Sequence, residues 1–503
     1  MNALIALFLA VSIFELSIWF PALWDDRKYL AYFCLILLTS VSIAIAVSDL
    51  SLGTFLVLVL SFYRIINLLR LIKNRIQIDH LYKVSVNTAI SLIGLQFMVL
   101  IGLYISNRFT VSNSFWWSAV SIIQLIAGVI VFASLLRHLR TTTPVKITKA
   151  FVEKDLPTVT VAIPARNETD DLSDCLNSLV SSNYPKLEIL VLDDCSQDRR
   201  TPQIIQDFAI QGVRFIAGKV PSDKWLAKNY AYKQLVDESS GEIIMFCGVD
   251  TRFEPNTIKT LVELLLQKNK SMVSVIPSNY LNEKLNLWSL LVQPGRYAWE
   301  LALPRRVLNR PPVLSTCWMI KRSLLLASGG FEAVTNTITP ESYFAKQAIK
   351  SDDYSFLQAD TSCSLISVKH ITDQRITAIR TRYPQLHRRL EVTAVVTILE
   401  FSSLVLPTIM MIVGLIISNY VIVEISLISS SLQYYAYGKI VDLTYRKRLI
   451  PGYFVLPIAA IFDIYLLNVS MFRYEFGQVM WKDRNICIPI MDVRDGILKP
   501  RSY

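Results

Sequence analysis

Long apolar segments constrain this chain more than any other sequence feature. Five segments of about 20 residues, the length that crosses a bilayer as a helix, occupy the N-terminal part, and three more follow residue 390. They lie at 1–22, 29–50, 53–72, 87–106 and 116–136, and then at 393–418, 420–438 and 451–471. With 52% hydrophobic residues overall, the chain is predicted to be a multi-pass α-helical membrane protein.

The basic residues predict how these segments are oriented. The net charge is +11, and Lys and Arg cluster beside the apolar segments, which is typical of cytoplasmic helix ends rather than of a nucleic-acid surface. With the clusters at 27–28, 70–75 and 137–149 in the cytoplasm, the five helices alternate from an external N-terminus. The first segment is not followed by a small-residue cleavage site, so we expect it to be an anchor rather than a cleaved signal. We expect an integral membrane protein of the bacterial inner membrane, with its middle region cytoplasmic.

Some charged residues fall inside these predicted spans, among them Glu15 in the first and Arg64 in the third. Glu15 and Arg64 either belong to a polar pathway, or they form a pair that faces the interior of the helix bundle or snorkel to the membrane surface.

The region from about 155 to 375 has a different character. Strand-length apolar runs such as "TVTVAIPA", "LEILVLDD", "VRFIAG", "EIIMFCGVD" and "SMVSVIP" alternate with helical patterns at 170–181 and 254–267. This alternation predicts a mostly parallel sheet in a three-layer α/β domain. The ligands of such a domain bind beyond the carboxyl ends of its strands.

Polar residues follow three of these predicted strands. Acidic groups gathered at one sheet edge suit a base-and-ribose pocket with a divalent cation that bridges phosphates. The alternative is helix capping, for which Asn167, Asp193 and Ser196 are well placed. Neither a GxxxxGK[ST] loop nor a GxGxxG fingerprint is present in the sequence. The candidates are Arg166, Asn167 and Glu168 after the first strand, Asp193 and Asp194 after the second, and Asp250 after the fourth.

Five motifs in a fixed order resemble family 2 glycosyltransferases, most closely the membrane-bound, ceramide-glucosyltransferase-like branch. They are "VAIPARNE", "LDDCSQD", "WLAKNYA", "GVDTRFEPN" and "CWMIKRSLLLASGGF", and "WKDR" at 481–484 is similar to a tail element of the family. The resemblance implies a GT-A (Rossmann-like) domain inserted between membrane helices, a nucleotide-sugar donor (UDP-sugar most readily), Mg²⁺ or Mn²⁺, and inversion at the anomeric carbon.

The resemblance also assigns donor-binding roles. Ala165, Arg166, Asn167 and Glu168 would line the nucleotide end of the pocket, and Asp193 and Asp194 would contact the base and ribose. Lys228 matches the lysine of W-x-G-K-x-x-A, although Ala227 replaces the glycine; a solvated helix lysine is the alternative. Asp250 matches the second acid of Asp-x-Asp and would bind the metal. Gly248 replaces the first acid, so metal binding is expected to be weaker.

The general base of the family falls near the start of a helix downstream of "GGF". Alignment of that helix places Glu341 there, after Pro340, while an ordinary glutamate in a first helical turn is the alternative. Asp352 and Asp353 are rival candidates.

The Gln-x-x-Arg-Trp motif of processive members is incomplete. Arg382 and Tyr383 resemble its end, but Ile379 replaces the glutamine, which argues against polymer synthesis. Arg380 and Arg382 would contact the diphosphate or the acceptor headgroup, or else face anionic lipid.

The predicted organisation is a transmembrane region (1–150), a cytoplasmic GT-A domain (151–380), an amphipathic interface helix (381–392), a second transmembrane region (393–475) and a tail (476–503). The last apolar segment, which contains Asp463, either crosses the membrane or is a re-entrant or interfacial element. We expect a non-processive transferase that uses a lipid acceptor. The alternatives are a catalytically impaired relative that acts as a sensor or scaffold, and a transporter.

Overall fold

The computed structural model describes most of the chain in two compact units. One unit comprises 1–122 with 304–310, and the other 123–303 with 311–503. The described residues are 2–19, 27–48, 52–73, 91–92, 94–96, 113–142, 147, 151–222, 224–279, 287–302, 310–360, 363–477, 479–482, 484–487, 491–494 and 497–500.

The first unit consists of helices that follow the predicted apolar segments. Within it, the Arg64 guanidinium pairs with the Glu15 carboxylate and also donates to Gln96 Oε1 (2.8 Å), while Trp19 Nε1 donates to Glu15 (3.0 Å). Glu15 and Arg64 are both fully buried, so the prediction of a pair that faces the bundle interior is confirmed. The helices are α1 (Asn2–Leu16), α2 (Arg27–Ser48), α3 (Leu52–Ile72) and α4 (Asn113–Thr142), which contributes its residues from 123 onward to the second unit.

Five helical stretches in the described part of the chain are long and apolar enough to span a membrane. They are Tyr29–Val47, Thr54–Ile72, Ala119–Thr142, Leu390–Ile416 and Leu456–Glu475, and Leu7–Leu16 is a shorter apolar helix. These stretches agree with an integral membrane protein. Most of the predicted segment 87–106 lies outside the described residues.

The second unit contains a mixed seven-stranded sheet of order β3-β2-β1-β4-β8-β6-β9. The predicted strands are present, and β1, β2, β3 and β4 are parallel. The antiparallel β8, which was not predicted, lies between β4 and β6. The strands of this sheet are β1 (Val159–Ala165), β2 (Leu187–Asp193), β3 (Val213–Ala217), β4 (Ile243–Cys247), β6 (Met272–Ile276), β8 (Cys317–Lys321) and β9 (Tyr354–Gln358). A small sheet is formed by β5 (Thr251–Phe253), β7 (Ser278–Asn279) and β10 (Leu365–Ser367).

Helices cover both faces of the large sheet, as a three-layer domain requires. Apolar residues of α5 (Asp170–Val180), α6 (Arg200–Asp207) and α8 (Thr257–Gln267) form one buried cluster with the strands. Apolar residues of α7 (Ala227–Glu238), α10 (Arg322–Ala327) and α11 (Pro340–Lys350) form the other. Ala165 pairs with Asp193 in the β1–β2 register, so these strands end at one edge of the sheet.

The remaining helices of this unit pack beside the α/β domain. Polar side chains of α15 (Tyr420–Tyr445) face α4. Gln124 of α4 donates to Ser426 Oγ of α15 (2.6 Å), and Gln433 of α15 donates to the Gly128 carbonyl of α4. These helices are α9 (Leu287–Ala302), α12 (Ile371–Gln385), α13 (Leu390–Glu400), α14 (Leu406–Ile416), α15 (Tyr420–Tyr445), α16 (Ile450–Phe454) and α17 (Leu456–Glu475). A π-helical turn, Phe401–Val405, joins α13 to α14.

The predicted amphipathic helix over 381–392 is wrong as a single element. α12 ends at Gln385 and α13 begins at Leu390. His387 and Arg388 between them have φ values of 58° and 53°, which an α-helix does not accommodate. Pro384 lies in the last turn of α12, where a proline is compatible with the end of a helix.

The last apolar segment has both ends against the α/β domain. Before it, Arg446 at the end of α15 donates to Ser364 Oγ (2.9 Å). After it, Arg484 contacts Asp194. Between these points, Asp463 of α17 pairs with Arg382 of α12. A single crossing would separate the two ends by about the bilayer thickness, so this arrangement favours the re-entrant or interfacial alternative. The tail strands are β11 (Met480–Trp481), β12 (Arg484–Asn485), β13 (Met491–Arg494) and β14 (Ile497–Pro500).

Candidate active site

The residues after β1 hold the loop that follows β2. Arg166 donates to the carbonyls of Asp194 (2.7 Å) and Cys195 (2.8 Å). Asn167 has a φ of 51°, and its Oδ1 accepts from Gln197 N (2.8 Å). In the structure Arg166 and Asn167 therefore fix the shape of the loop. α5 and α6 have no side-chain N-cap, so the capping alternative does not account for these residues.

The Asp194 carboxylate forms an ion pair with the C-terminal tail. Arg484 Nη1 lies 2.7 Å from Asp194 Oδ2, and Lys482 Nζ lies 2.9 Å from Glu168 Oε1. Burial raises the pKa of Asp194 and of Glu168, and the two tail cations oppose those shifts. Trp481 completes the contact, with its ring 5.1 Å from the Arg380 guanidinium carbon. Lys482 and Arg484 of the tail thus contact two of the predicted donor-binding residues, Glu168 and Asp194.

A cavity of about 360 Å³ opens beyond the carboxyl ends of β1 and β4. Four of the predicted site residues line it: Glu168, Lys228, Asp250 and Arg380. Burial lowers the pKa of Lys228 to about 8, and the nearby Glu341 carboxylate opposes part of this shift. Lys228 is half-buried in the cavity lining. Ala165, Arg166, Asn167, Asp193 and Asp194 do not line this cavity.

Sequence reasoning missed two cations beside Asp250. Lys369 Nζ lies 3.5 Å from Asp250 Oδ2, and Arg296 of α9 lines the same cavity. Burial alone would raise the pKa of Asp250. The positive charge of Lys369, and to a smaller extent that of Arg296, brings this pKa below its ordinary value. The backbone positions Lys369, because Val368 N donates to the Asp250 carbonyl (2.9 Å). The only sequence signal was a lysine shortly after the β-prone run "SLISV".

These surroundings do not fit the divalent ion that the resemblance implies. A Cβ at Gly248 would lie 2.4 Å from Asp250 Oδ1, so the Asp250 carboxylate fills the space that a side chain at position 248 would need. Among the described residues there is no group of three His, Cys, Asp or Glu side chains able to hold a metal. Asp250 is thus a single carboxylate already paired with an ammonium group, so a divalent ion could bind it only by displacing Lys369.

Glu341 lies at a second, smaller cavity of about 40 Å³. Arg296, Ser315 and Thr377 line both cavities, which makes the two adjacent. Glu341 is the second residue of α11 and is 3% exposed. Its Oε2 is buried without a hydrogen-bond partner among the described residues. Burial raises the pKa of Glu341, and Lys228 opposes that shift; a raised pKa suits a general base.

The rival acids lie at the other end of α11. Asp352 and Asp353 follow the C-terminus of this helix, which is about 16 Å long by its 11 residues at 1.5 Å each. The Asp352 side chain is 99% exposed and pairs with Lys270 (3.2 Å). Neither aspartate lines the two cavities. The structure therefore favours Glu341 as the candidate base.

Arg380 and Arg382 have different surroundings. Arg380 lines the larger cavity, whereas Arg382 is 4% exposed and pairs with Asp463 of α17. The Arg382 guanidinium also lies over the Trp299 ring, 4.1 Å from its centroid. A buried and paired Arg382 does not face lipid, and it joins α12 to α17 and α9.

Comparisons with known proteins agree with this architecture. Residues 160–327 match the family model "Glycosyl transferase family 2". A probable glycosyltransferase, YdaM, of Bacillus subtilis is 27% identical over 194 residues, which cover 36% of this chain and 44% of that protein. Glycosyltransferase AglE of Haloferax volcanii is 34% identical over 99 residues, 19% of this chain and 31% of that protein. The chain thus matches less than half the length of these relatives.

A solved mannosyltransferase from Pyrobaculum calidifontis, in complex with GDP-Man and Mn²⁺, is similar over 71% of this chain and 97% of its own, with 17% identity and a TM-score of 0.44. The family match does not extend to the ceramide-glucosyltransferase-like branch, which stays a prediction. The family match leads to one conclusion: residues 160–327, which contain most strands of the large sheet, form a domain that matches glycosyl transferase family 2.

Proposed function

We propose that this protein transfers a sugar from a nucleotide-sugar donor to a hydroxyl group of a lipid or other membrane-associated acceptor, with inversion and one sugar per turnover. The observation that carries the proposal is the position of Glu341. Its unpartnered carboxylate oxygen is buried at a small cavity that adjoins a larger, cation-lined one. This arrangement supplies a base on the acceptor side and positive charge on the leaving-group side.

The proposed reaction is a direct displacement at the anomeric carbon. The acceptor oxygen forms a bond to C1 while the bond from C1 to the donor's diphosphate breaks, and that electron pair goes to the diphosphate. Glu341 takes the proton of the acceptor hydroxyl. Lys228 and Arg380, which line the larger cavity, stabilise the negative charge that develops on the diphosphate.

Membrane helices beside the domain support a lipid acceptor. Leu390–Ile416 is long and apolar enough to span a bilayer, and it follows α12, whose residues line both cavities. An acceptor held in the membrane is already partly oriented, so bringing its hydroxyl group to Glu341 would cost less entropy. From the basic clusters of the sequence we propose that the domain faces the cytoplasm.

The test is nucleotide release by the detergent-purified full chain. UDP-glucose is supplied first and GDP-mannose and other nucleotide sugars next, each with and without total lipid extract. We expect one donor to release its nucleotide faster when lipid is present, together with a glycosylated lipid detected by mass spectrometry. Nucleotide binding without any turnover would instead support the sensor or scaffold alternative.

A further inference from the structure

The larger cavity contains more positive than negative side chains that are not paired elsewhere. Of its acidic residues, Glu168 is paired with Lys482 (2.9 Å) and Asp171 with Arg252 (3.0 Å). The other charged residues of its lining are Lys228, Arg296, Lys369 and Arg380 against Asp250 and Asp373. Four cations against two carboxylates leave two positive charges, which match the two negative charges of a nucleotide-sugar diphosphate.

Two of these cations have positions fixed by other parts of the fold. Lys369 follows β10, and the β10–β5 register pairs Ser367 with Thr251, next to Asp250. Arg296 Nη2 donates to Thr316 Oγ1 (2.7 Å), while its Nη1 is buried without a partner among the described residues. An orphaned guanidinium N–H costs free energy unless a ligand or water accepts from it. Arginine is well suited to phosphate oxygens.

We propose that Lys369 and Arg296, with Lys228 and Arg380, bind the donor's diphosphate directly, so that donor binding needs no divalent ion. This inference rests on the proposed function, because it assigns the leaving-group side of the same reaction. Lys369 and Arg296 supply the positive charge that a metal ion supplies elsewhere. Asp250 holds the Lys369 ammonium group in place (3.5 Å) and is not a metal ligand.

The experiment is nucleotide binding by the full chain in detergent, measured by calorimetry. The probes are UDP and GDP, each in excess EDTA and again in Mn²⁺. For the nucleotide that binds, we expect the dissociation constants in EDTA and in Mn²⁺ to agree within about threefold. Lys369→Met should weaken binding in EDTA by about tenfold or more, because the variant loses a charge-assisted contact. Lys268→Met is the matched control, since Lys268 lies at the end of α8 and outside the cavity lining; its affinity should stay that of the unmodified protein.

The outcomes separate this inference from the proposed function. Binding that disappears in EDTA and returns with Mn²⁺ would overturn the inference and leave the transferase intact. The same holds if Lys369→Met binds as well as Lys268→Met. Binding of neither nucleotide under either condition would contradict the proposed function, and the inference with it. In transfer assays with the accepted donor, activity that persists in EDTA is the expected result.

Discussion

The contact between Arg484 of the tail and Asp194 of the domain allows the effect of a substitution on tail binding to be estimated. Arg484→Gln removes the guanidinium that lies 2.7 Å from Asp194 Oδ2, although the side chain of Asp194 is only 5% exposed. The carboxylate would lose its charged partner while it stays buried. A hydrogen bond to a charged group contributes about 1.5–3 kcal/mol. The tail should therefore detach roughly ten- to hundredfold more often.

Hydrogen exchange of the backbone amides measures this change directly. The Ile486 amide donates to the Val479 carbonyl (3.0 Å) and closes the turn that carries Arg484. Where the tail opens and closes faster than exchange occurs, the exchange rate at 479–487 rises by the same factor as the opening equilibrium. Mass spectrometry of the peptide that spans these residues measures this exchange rate.

The control is Arg473→Gln, because Arg473 is an exposed residue near the end of α17. It should leave exchange at 479–487 unchanged. If Arg484→Gln exchanges no faster than this control, the contact between Arg484 and Asp194 does not hold the tail, and the reasoning is refuted.

Three further predictions concern the cavity and its supports. Lys228 loses its proton as the pH rises through about 8, so kcat/KM for the donor should fall across that range, and Lys228→Met should show no such fall. Gly248→Ala places a Cβ 2.4 Å from Asp250 Oδ1, the free end of a side chain that can rotate away. We therefore expect a loss of about 1 kcal/mol or less in the free energy of unfolding, seen as a melting temperature close to that of the unmodified protein, and a large fall would show that the carboxylate cannot move. Asp463→Asn removes the charged partner of the buried Arg382 and should lower the free energy of unfolding by about 1.5–3 kcal/mol, measured by thermal unfolding in detergent; a fall no larger than that of an exposed surface variant would show that the pair is not needed.

The core of the α/β domain was predictable because local patterns determine it. Apolar β-prone runs give β1, β2 and β4, and parallel strands place their carboxyl ends at one edge. That rule brought Glu168 and Asp250 to one cavity, as the structure shows. β8 was missed because its run, "CWMIK", lies antiparallel between β4 and β6, a pairing that no local pattern indicates.

The charges around Asp250 were not predictable from motif spacing. Lys369, which follows β10, and Arg296 of α9 lie 119 and 46 residues from Asp250 in the sequence and reach the same cavity through tertiary packing. The contact of the tail with Asp194 spans an even longer separation of 290 residues. The break at His387 and Arg388 was different, since Pro384 was a visible signal that a helix ends there.

The most direct test of the account compares Glu341→Gln with Asp352→Asn in the transfer reaction. The measurement is the rate at which the accepted donor's sugar appears on lipid, at saturating donor. If Glu341 is the base, its variant should lose about 10²–10⁴-fold in kcat, while donor affinity changes little and Asp352→Asn keeps the rate of the unmodified protein. A Glu341→Gln protein that transfers sugar at the unmodified rate would contradict the central claim.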